Sequence, residues 1–115
     1  MKLYINTAKN SLITVELRQD KKIIITKTIE ASHRQAEKLI PLIDSLLKTK
    51  AKSLADIKGI VVETKGEGFT SLRIGVTTAN TLAYALGIAL ESPRKGRLKM
   101  AYPEYDKPPS ITLKK

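Results

Sequence analysis

Residues 61–90, VVETKGEGFTSLRIGVTTANTLAYALGIAL, contain the change of pattern that decides the fold. The run 60–62 is β-branched, as buried strands favour, and glycines at 66 and 68 interrupt it. From residue 70 the pattern switches to spacings of three and four, which predicts one face of a helix formed by Leu72, Gly75, Val76, Ala79, Leu82, Ala83 and Leu86. The stretch therefore predicts a strand, a glycine-bearing loop, a long helix that Gly87 ends, and a second strand.

Three small residues of this helix, Gly75, Ala79 and Ala83, lie four apart and form a ridge with almost no side chain. Such a ridge allows close approach of a neighbouring element. Small residues serve packing on the chain's own sheet as well as packing against a partner's helix, and periodicity does not separate the two interpretations.

The segment GEGFTSLRIGVTTANTLAYALGIAL resembles the motif of the TsaB (YeaZ) family, typically GPGSFTGLRIG followed by a small-residue helix and YALGIPL. A second segment, SHRQAEKLIPLIDSLL, is similar to the first helix of the same family. The chain departs from the motif around Glu67 and Gly68, and Ser71 stands where a glycine is usual. The resemblance implies a bacterial member of the actin-like ATPase superfamily that helps to make threonylcarbamoyladenosine in tRNA.

The first half of the chain predicts an antiparallel meander of three strands, at 2–5, 11–17 and 23–28. The unbroken isoleucines 23–25 suggest that the third strand is covered on both faces. Ser32 and Gln35 match a capping box, and the apolar stripe that follows predicts a helix to about residue 50, bent at Pro41. With the second half, this order predicts an α/β domain with a mixed five-stranded sheet and two long helices, which the resemblance identifies as one ribonuclease H-like subdomain of the actin-like fold.

Few residues are candidates for catalysis or for binding a metal or cofactor. Where the family commonly has DTS, this chain has Asn6-Thr7-Ala8, so we expect Asn6 to satisfy its own turn rather than to hold a metal. His33, the only histidine, has no cysteine or second histidine to assemble a site with, and we expect it to be partly exposed in the first helical turn. The loop 65–68 lacks the lysine and hydroxyl of a P-loop, so its glycines predict a sharp turn. We therefore expect no catalytic residue, no metal and no cofactor.

Composition and charge suggest two regions. The chain of 115 residues has 21 basic and 11 acidic residues and a net charge of +10, and no cysteine. Residues 92–115 contribute seven basic and two acidic residues, so we expect a compact domain over 1–91 and a basic tail rich in Pro and Tyr over 92–115. No apolar run approaches the roughly 20 residues that span a bilayer, and no signal peptide is evident, so we expect a cytoplasmic protein.

These observations support a non-catalytic scaffold as the leading hypothesis. The two long helices would pair with a partner's helices through faces formed by Leu39, Ile43, Leu47, Arg73, Gly75, Val76, Ala79 and Ala83. The resemblance implies that the partner is a TsaD-like catalytic protein, possibly joined by a TsaE-like protein, or a second copy in a homodimer. The alternative is a small RNA-binding module whose basic tail contacts tRNA phosphates, with Tyr102 and Tyr105 stacking on bases.

Overall fold

A computed structural model describes residues 1–9, 11–66 and 69–105. Its elements, in chain order, are the strands β1 (Lys2–Asn6), β2 (Leu12–Gln19) and β3 (Lys22–Glu30), helix α1 (Gln35–Thr49), strands β4 (Gly59–Val62) and β5 (Lys65–Gly66), helix α2 (Phe69–Leu86), and strands β6 (Ala89–Ser92), β7 (Gly96–Leu98) and β8 (Glu104–Tyr105). A short 3-10 helix, Leu54–Asp56, precedes β4.

The main sheet has six strands in the order β3-β2-β1-β4-β6-β7. Strands β1, β2 and β3 form the predicted antiparallel meander, while β1, β4 and β6 are parallel. The predicted mixed α/β sheet is thus confirmed, but the count of five strands is wrong, because β7 returns antiparallel beside β6. A two-residue pair, β5 with β8, forms a second small sheet.

Both helices lie on one face of the sheet, with α1 over β2 and β3 and α2 over β1, β4 and β6. Alternation along the strands sends Leu3, Ile5, Ile13, Val15 and Leu17 toward the helices, and all five are fully buried. On the other face Arg18 lies 4.0 Å from the centre of the Tyr4 ring and pairs with Glu16 at 2.8 Å. Burial of the Tyr4 hydroxyl raises its pKa.

Only some of the helix ends predicted from the sequence are observed in the structure. Helix α1 begins at Gln35, three residues after Ser32, and no side chain caps it, so the predicted capping box does not form. His33 adopts a φ of +61° in the turn before the helix. Pro41 lies inside α1, which continues past it to Thr49 as predicted. At the end of α2, Gly87 has a φ of +65° and Ile88 N donates to Ala83 O at 3.1 Å, the hydrogen bond of a glycine-terminated helix.

Strand β3 contradicts the prediction that its isoleucines are covered on both faces. It lies at the edge of the sheet, where Ile23 and Ile24 are 56% and 38% exposed. A run of β-branched residues indicates a strand, but it does not reveal whether neighbours flank that strand.

Residues 92–105 are part of the fold, so the predicted boundary at residue 91 does not coincide with a structural break. Ser92 and Gly96 pair across the β6–β7 hairpin. The Asn80 side chain accepts from Ala101 N at 2.8 Å and donates to Ala101 O at 2.9 Å, and Ala101 is buried. Within the described ranges, no helix is long and apolar enough to cross a membrane.

Candidate partner-binding surface

Most of the predicted interface faces inward. Seven of its eight residues lie in the chain's own interior, namely Leu39, Ile43, Leu47, Gly75, Val76, Ala79 and Ala83, and only Arg73 is exposed. These residues pack in the core between the two helices and the sheet. Leu39, Gly75, Val76, Ala79 and Ala83 are therefore core positions, because the most apolar stripe of each helix covers the sheet. Ile43, Leu47 and Arg73 also line depressions on the solvent side of the helices.

The small-residue ridge of α2 has a specific neighbour in β1 and the turn that follows it. A Cβ atom at Gly75 would lie 2.5 Å from Thr7 Oγ1. The Thr7 hydroxyl donates to Ser71 O at 2.5 Å and accepts from Gly75 N at 3.1 Å. The ridge thus allows α2 to approach the end of β1, which decides between the two interpretations of the small residues in favour of packing within the chain.

The solvent side of the helix pair contains an apolar groove, and Ile43 and Leu47 of the predicted interface contribute to its lining. A cavity of about 410 Å³ lies between the helices, lined by Ile40, Pro41, Ile43, Asp44, Leu47, Leu54 and Leu82. Ile40 is 51% exposed and Leu54 is 38% exposed at its rim. A second, shallower depression beside it is lined by Ala36, Thr70, Arg73, Ile74 and Thr77.

The exposed face of α2 has almost no charge. Of its 18 residues only Arg73 is charged, although the chain as a whole is 28% charged. The positions that face solvent are occupied by threonine, tyrosine and alanine: Thr70, Thr77, Thr81, Tyr84 and Ala85. A solvated helix face is ordinarily rich in charged residues, whereas the centre of a protein interface is depleted of them. This absence of charge was visible in the sequence and is the signal that could have located the surface.

The turn after β1 confirms the structural role predicted for Asn6. Its side-chain oxygen accepts from Ala8 N at 2.8 Å, and its side-chain nitrogen donates to the Tyr4 hydroxyl at 3.0 Å. Both ends of the amide are therefore engaged within the turn. No group of three or more His, Asp or Glu side chains suited to a metal ion occurs in the described part of the chain.

A polar cluster fastens the C-terminal segment to the end of β4. The Thr64 hydroxyl donates to a Glu104 carboxylate oxygen at 2.7 Å, and Glu104 N donates to Thr64 O at 2.5 Å. Arg94 forms an ion pair with Glu63 and also donates to Thr64 at 3.3 Å. The Thr64 hydrogen bond, with Lys95 3.8 Å away, lowers the pKa of the Glu104 carboxyl below its usual value.

The remaining predicted positions are placed as follows. His33 is exposed, in the turn before α1 rather than in its first turn. In the glycine loop, Lys65 and Gly66 form β5, while Glu67 and Gly68 lie outside the described residues. Tyr102 is 68% exposed, and Tyr105 lies in β8. The rest of the predicted tail, residues 106–115, is also outside the described ranges.

Known proteins match both the sequence and the fold. Residues 23–91 match the family model described as "TsaD: tRNA N6-adenosine threonylcarbamoyltransferase". A curated tRNA N6-adenosine threonylcarbamoyltransferase from Geotalea uraniireducens is 38% identical over 61 residues, which are 52% of this chain and 18% of that protein. The chain therefore spans about a fifth of the length of this relative.

Solved structures extend the match to most of the described fold. YeaZ from Pseudomonas aeruginosa superposes with a TM-score of 0.72 over 79% of this chain and 42% of its own, at 21% identity. A second structure, of an uncharacterized protein with similarity to peptidase YeaZ from the same organism, gives the same TM-score over 41% of its length. The fold is the ribonuclease H-like, actin-like fold predicted from the sequence. The fold is thus shared with YeaZ, and the chain belongs to the family described as TsaD: tRNA N6-adenosine threonylcarbamoyltransferase.

Proposed function

We propose that this chain acts in the formation of threonylcarbamoyladenosine in tRNA as a non-catalytic scaffold, which binds a TsaD-like protein through the outer face of its helix pair. The observation that carries the proposal is the apolar groove between α1 and α2, together with the nearly uncharged outer face of α2. The names of the matching family and relative supply the pathway. A TsaE-like protein could join the assembly, as the resemblance implies.

The geometry of the helix pair suits a partner that contributes helices of its own. The groove runs between two helices, and Ile40 and Leu82 line it with little polar area around them. An apolar side chain from a partner helix that enters this groove would remove the exposed Ile40 from water. A specific contact of this kind buries about 800 Å² on each partner. The same surface would accept a second copy of the chain, which is the competing outcome of the test below.

The proposal that the chain itself is not an enzyme rests on how its polar groups are used. In the turn where the family has an acidic residue, both polar ends of Asn6 are occupied by Ala8 and Tyr4. Glu63, at the end of the neighbouring β4, is paired with Arg94. These groups are engaged in holding the fold, which supports the assignment of the chemistry to a partner.

Substitution of Ile40 tests the scaffold directly. We expect Ile40→Arg to weaken binding to the host's TsaD-like protein by roughly 30-fold or more, equivalent to about 2 kcal/mol, because a charge would enter the centre of the apolar contact. Isothermal titration calorimetry measures the affinity, and circular dichroism verifies the fold. The matched control is Ile23→Arg, which introduces the same charge at an equally exposed isoleucine on β3. Unchanged affinity for the Ile40 variant would contradict the proposed surface.

A second candidate function, binding of single-stranded RNA, is favoured by the segment that follows β7. Tyr102 and Met100 are 68% and 51% exposed on either side of the buried Ala101, and Tyr84, 91% exposed, lies one turn beyond Asn80 on α2. Arg97 and Lys99 are exposed next to them. Exposed aromatic rings beside basic side chains suit base stacking and phosphate contact.

Point substitutions test this second function better than removal of residues 92–115, which would also remove β7 and the contacts of Ala101. We expect Tyr102→Ala to weaken binding of a tRNA-derived single strand about fivefold or more, since one stacked base contributes roughly 1–3 kcal/mol. Lys99→Ala should lower the slope of log affinity against log salt by about one. Fluorescence anisotropy measures both, with Lys48→Ala on α1 as the control. Binding that is equal in all four proteins would exclude this segment as the site.

A further inference from the structure

The groove between α1 and α2 has exposed lysines at one end. Its lining includes Leu47, near the end of α1, and Leu54, in the short helix that follows. The segment between them is attached to this lining, because the amides of Lys50 and Lys52 both donate to Leu47 O, at 3.1 and 2.8 Å. Lys58 follows the short helix, and all three lysines are exposed. We call Lys50, Lys52 and Lys58 the basic rim of the groove.

The basic rim has more positive charge than its own segment neutralises. Residues 50–58 contain one carboxylate, that of Asp56. It accepts from Ser53 N at 2.8 Å, and this hydrogen bond, together with the charges of Lys52 and Lys58, lowers the pKa of Asp56 below its usual value. Lys58 Nζ donates to Ala55 O at 3.3 Å, a neutral acceptor. Within the described residues, none of the three ammonium groups of the rim forms an ion pair. The rim therefore presents an excess of positive charge beside an apolar groove.

A second copy of the chain does not supply the missing negative charge. Its α1 has two carboxylates, and both are already paired within the chain, Glu37 with Arg34 at 3.0 Å and Asp44 with Lys48 at 2.9 Å. Its α2 has Arg73 as the single charged residue. Two copies in contact through this surface would join two molecules of net charge +10 without a counter-charge for either basic rim. The charge of the surface favours an unlike, acidic partner.

We propose that the part of the partner that enters the groove is an amphipathic helix, whose apolar face contacts Ile40 and Leu82 and whose acidic side chains meet the basic rim. This inference rests on the proposed scaffold function and specifies the chemistry of the partner. A helix suits a groove between two helices, because rows of its side chains pack into such a groove. Carboxylates opposite the basic rim neutralise its excess charge and accelerate association.

Phosphate groups of a nucleic acid are the other anions that a cluster of lysines attracts. A nucleic acid is less well suited to this site, because it would leave the adjacent apolar groove in contact with water. An acidic amphipathic helix uses both features. Its apolar face removes Ile40 and Leu54, which are 51% and 38% exposed, from water, and its carboxylates pair with the rim.

Charge reversal in the basic rim tests the inference. We expect Lys50→Glu/Lys52→Glu to weaken binding to the host's TsaD-like protein about tenfold or more, because negative charges would then face the partner's carboxylates. Lys50→Arg/Lys52→Arg keeps the charge and should bind within about twofold of the unmodified chain. The matched control, Lys9→Glu/Arg97→Glu, changes the net charge equally at exposed positions in the turn after β1 and on β7. In about 0.15 M salt, which screens distant charges, the control should also bind within about twofold.

Isothermal titration calorimetry at about 0.05, 0.15 and 0.3 M salt measures the affinity, and circular dichroism verifies the fold of each variant. The affinity of the unmodified chain should fall as the salt concentration rises, because salt screens the attraction between the rim and the carboxylates. This fall should be absent in Lys50→Glu/Lys52→Glu.

The outcomes separate this inference from the scaffold function itself. If Ile40→Arg abolishes binding while Lys50→Glu/Lys52→Glu keeps both the affinity and its salt dependence, the scaffold stands and the acidic helix is wrong. An equal loss in the control would show that net charge rather than the rim matters, which overturns the inference. So would a rim variant that loses affinity for tRNA but not for the protein, or a dimer of the unmodified chain that Ile40→Arg dissociates. A TsaD-like protein that does not bind the unmodified chain contradicts the scaffold function and, with it, this inference.

Discussion

Thr7 and Gly75 form the closest contact between the sheet and helix α2. The Thr7 side chain is 1% exposed, and its hydroxyl is hydrogen-bonded to Ser71 and Gly75 of the first turns of the helix. A side chain at position 75 would occupy the space of that hydroxyl. Glycine is therefore favoured at this position, although a helix interior ordinarily prefers alanine to glycine.

We predict that Gly75→Ala destabilises the chain by up to about 2 kcal/mol, because overpacking at Thr7, which costs about 1–3 kcal/mol, outweighs the gain of about 1 kcal/mol in helix propensity. Urea unfolding followed by circular dichroism measures the free energy. Thr81→Ala, at an exposed position of the same helix, is the control and should change stability by less than about 0.5 kcal/mol. In the Thr7→Ala background the second change should cost less, since the clashing hydroxyl is gone. A stabilised Gly75→Ala protein would show that the approach is not tight.

For single residues, prediction from the sequence succeeded where the local backbone alone sets the conformation or the hydrogen bonds of the residue. Gly87 was predicted to adopt a left-handed conformation and does, and Asn6 was predicted to satisfy its turn and does. Ser32 was predicted to cap α1 and does not, because the chain turns at His33 and the helix starts only at Gln35. A capping motif indicates where a helix could begin, but the path of the preceding strand decides it.

The element that fastens the segment after β7 is the short pair of β5 with β8. Glu104 is hydrogen-bonded to Thr64 through both its backbone and its carboxylate. The Thr64 hydroxyl lowers the pKa of this carboxyl from the usual 4.5. Because the folded state favours the ionised form, the carboxylate stabilises the chain at pH values above 4.5, and this contribution is lost as the pH falls through the lower folded pKa.

We predict that Glu104→Gln removes the contribution of this carboxyl to the pH dependence of the free energy of unfolding. The wild-type chain should be more stable than the variant at pH 7, and the difference should shrink as the pH falls below 4.5. Urea unfolding at several pH values between about 7 and 3 measures the difference, with Glu30→Gln on β3 as the control. A difference that stays constant over this range would mean that the hydrogen bond does not depend on ionisation of Glu104.

The two helices show why the fold was more predictable than the surface. Periodicity correctly located the apolar stripe of each helix, but the stripe that periodicity detects is the one that covers the sheet, so Leu39, Ile43 and Ala79 lie in the core. The proposed surface lies at the margin of these stripes: Leu82, Ile43 and Leu47 belong to them and also line the groove beside Ile40. The lack of charge on α2 is the further signal along the chain that indicates this margin.

At the scale of the whole molecule, the sheet divides the protein into two unlike sides. One face is covered by α1 and α2. The outer side of α2 has Arg73 as its single charged residue, whereas the outer side of α1 carries Glu37, Lys38, Asp44 and Lys48. The other face carries polar and charged side chains that pair with one another, such as Lys2 with Glu91 at 2.7 Å. The free edge of β3 belongs to neither face. The partner-binding surface proposed above therefore lies on the helix side of the sheet.

The sequence suggested the layered α/β architecture because β-branched runs and helical stripes alternate in a fixed order. It could not predict that residues 92–105 return to the sheet, since the run of lysine, arginine and proline there is also typical of a solvated tail. Tertiary hydrogen bonds hold this segment: the Asn80 side chain bonds to the backbone of Ala101, and the Thr64 hydroxyl bonds to the Glu104 carboxylate. Neither pair is visible as a local pattern.

The central claim is that the outer face of the helix pair binds a TsaD-like protein. Size-exclusion chromatography with light scattering, on an equimolar mixture of the chain and the TsaD-like protein of its host, gives the mass of what forms. We expect one species with the summed mass of both proteins, and its loss when the chain carries Ile40→Arg. Two separate peaks for the unmodified chain, or a complex that Ile40→Arg leaves intact, would contradict it.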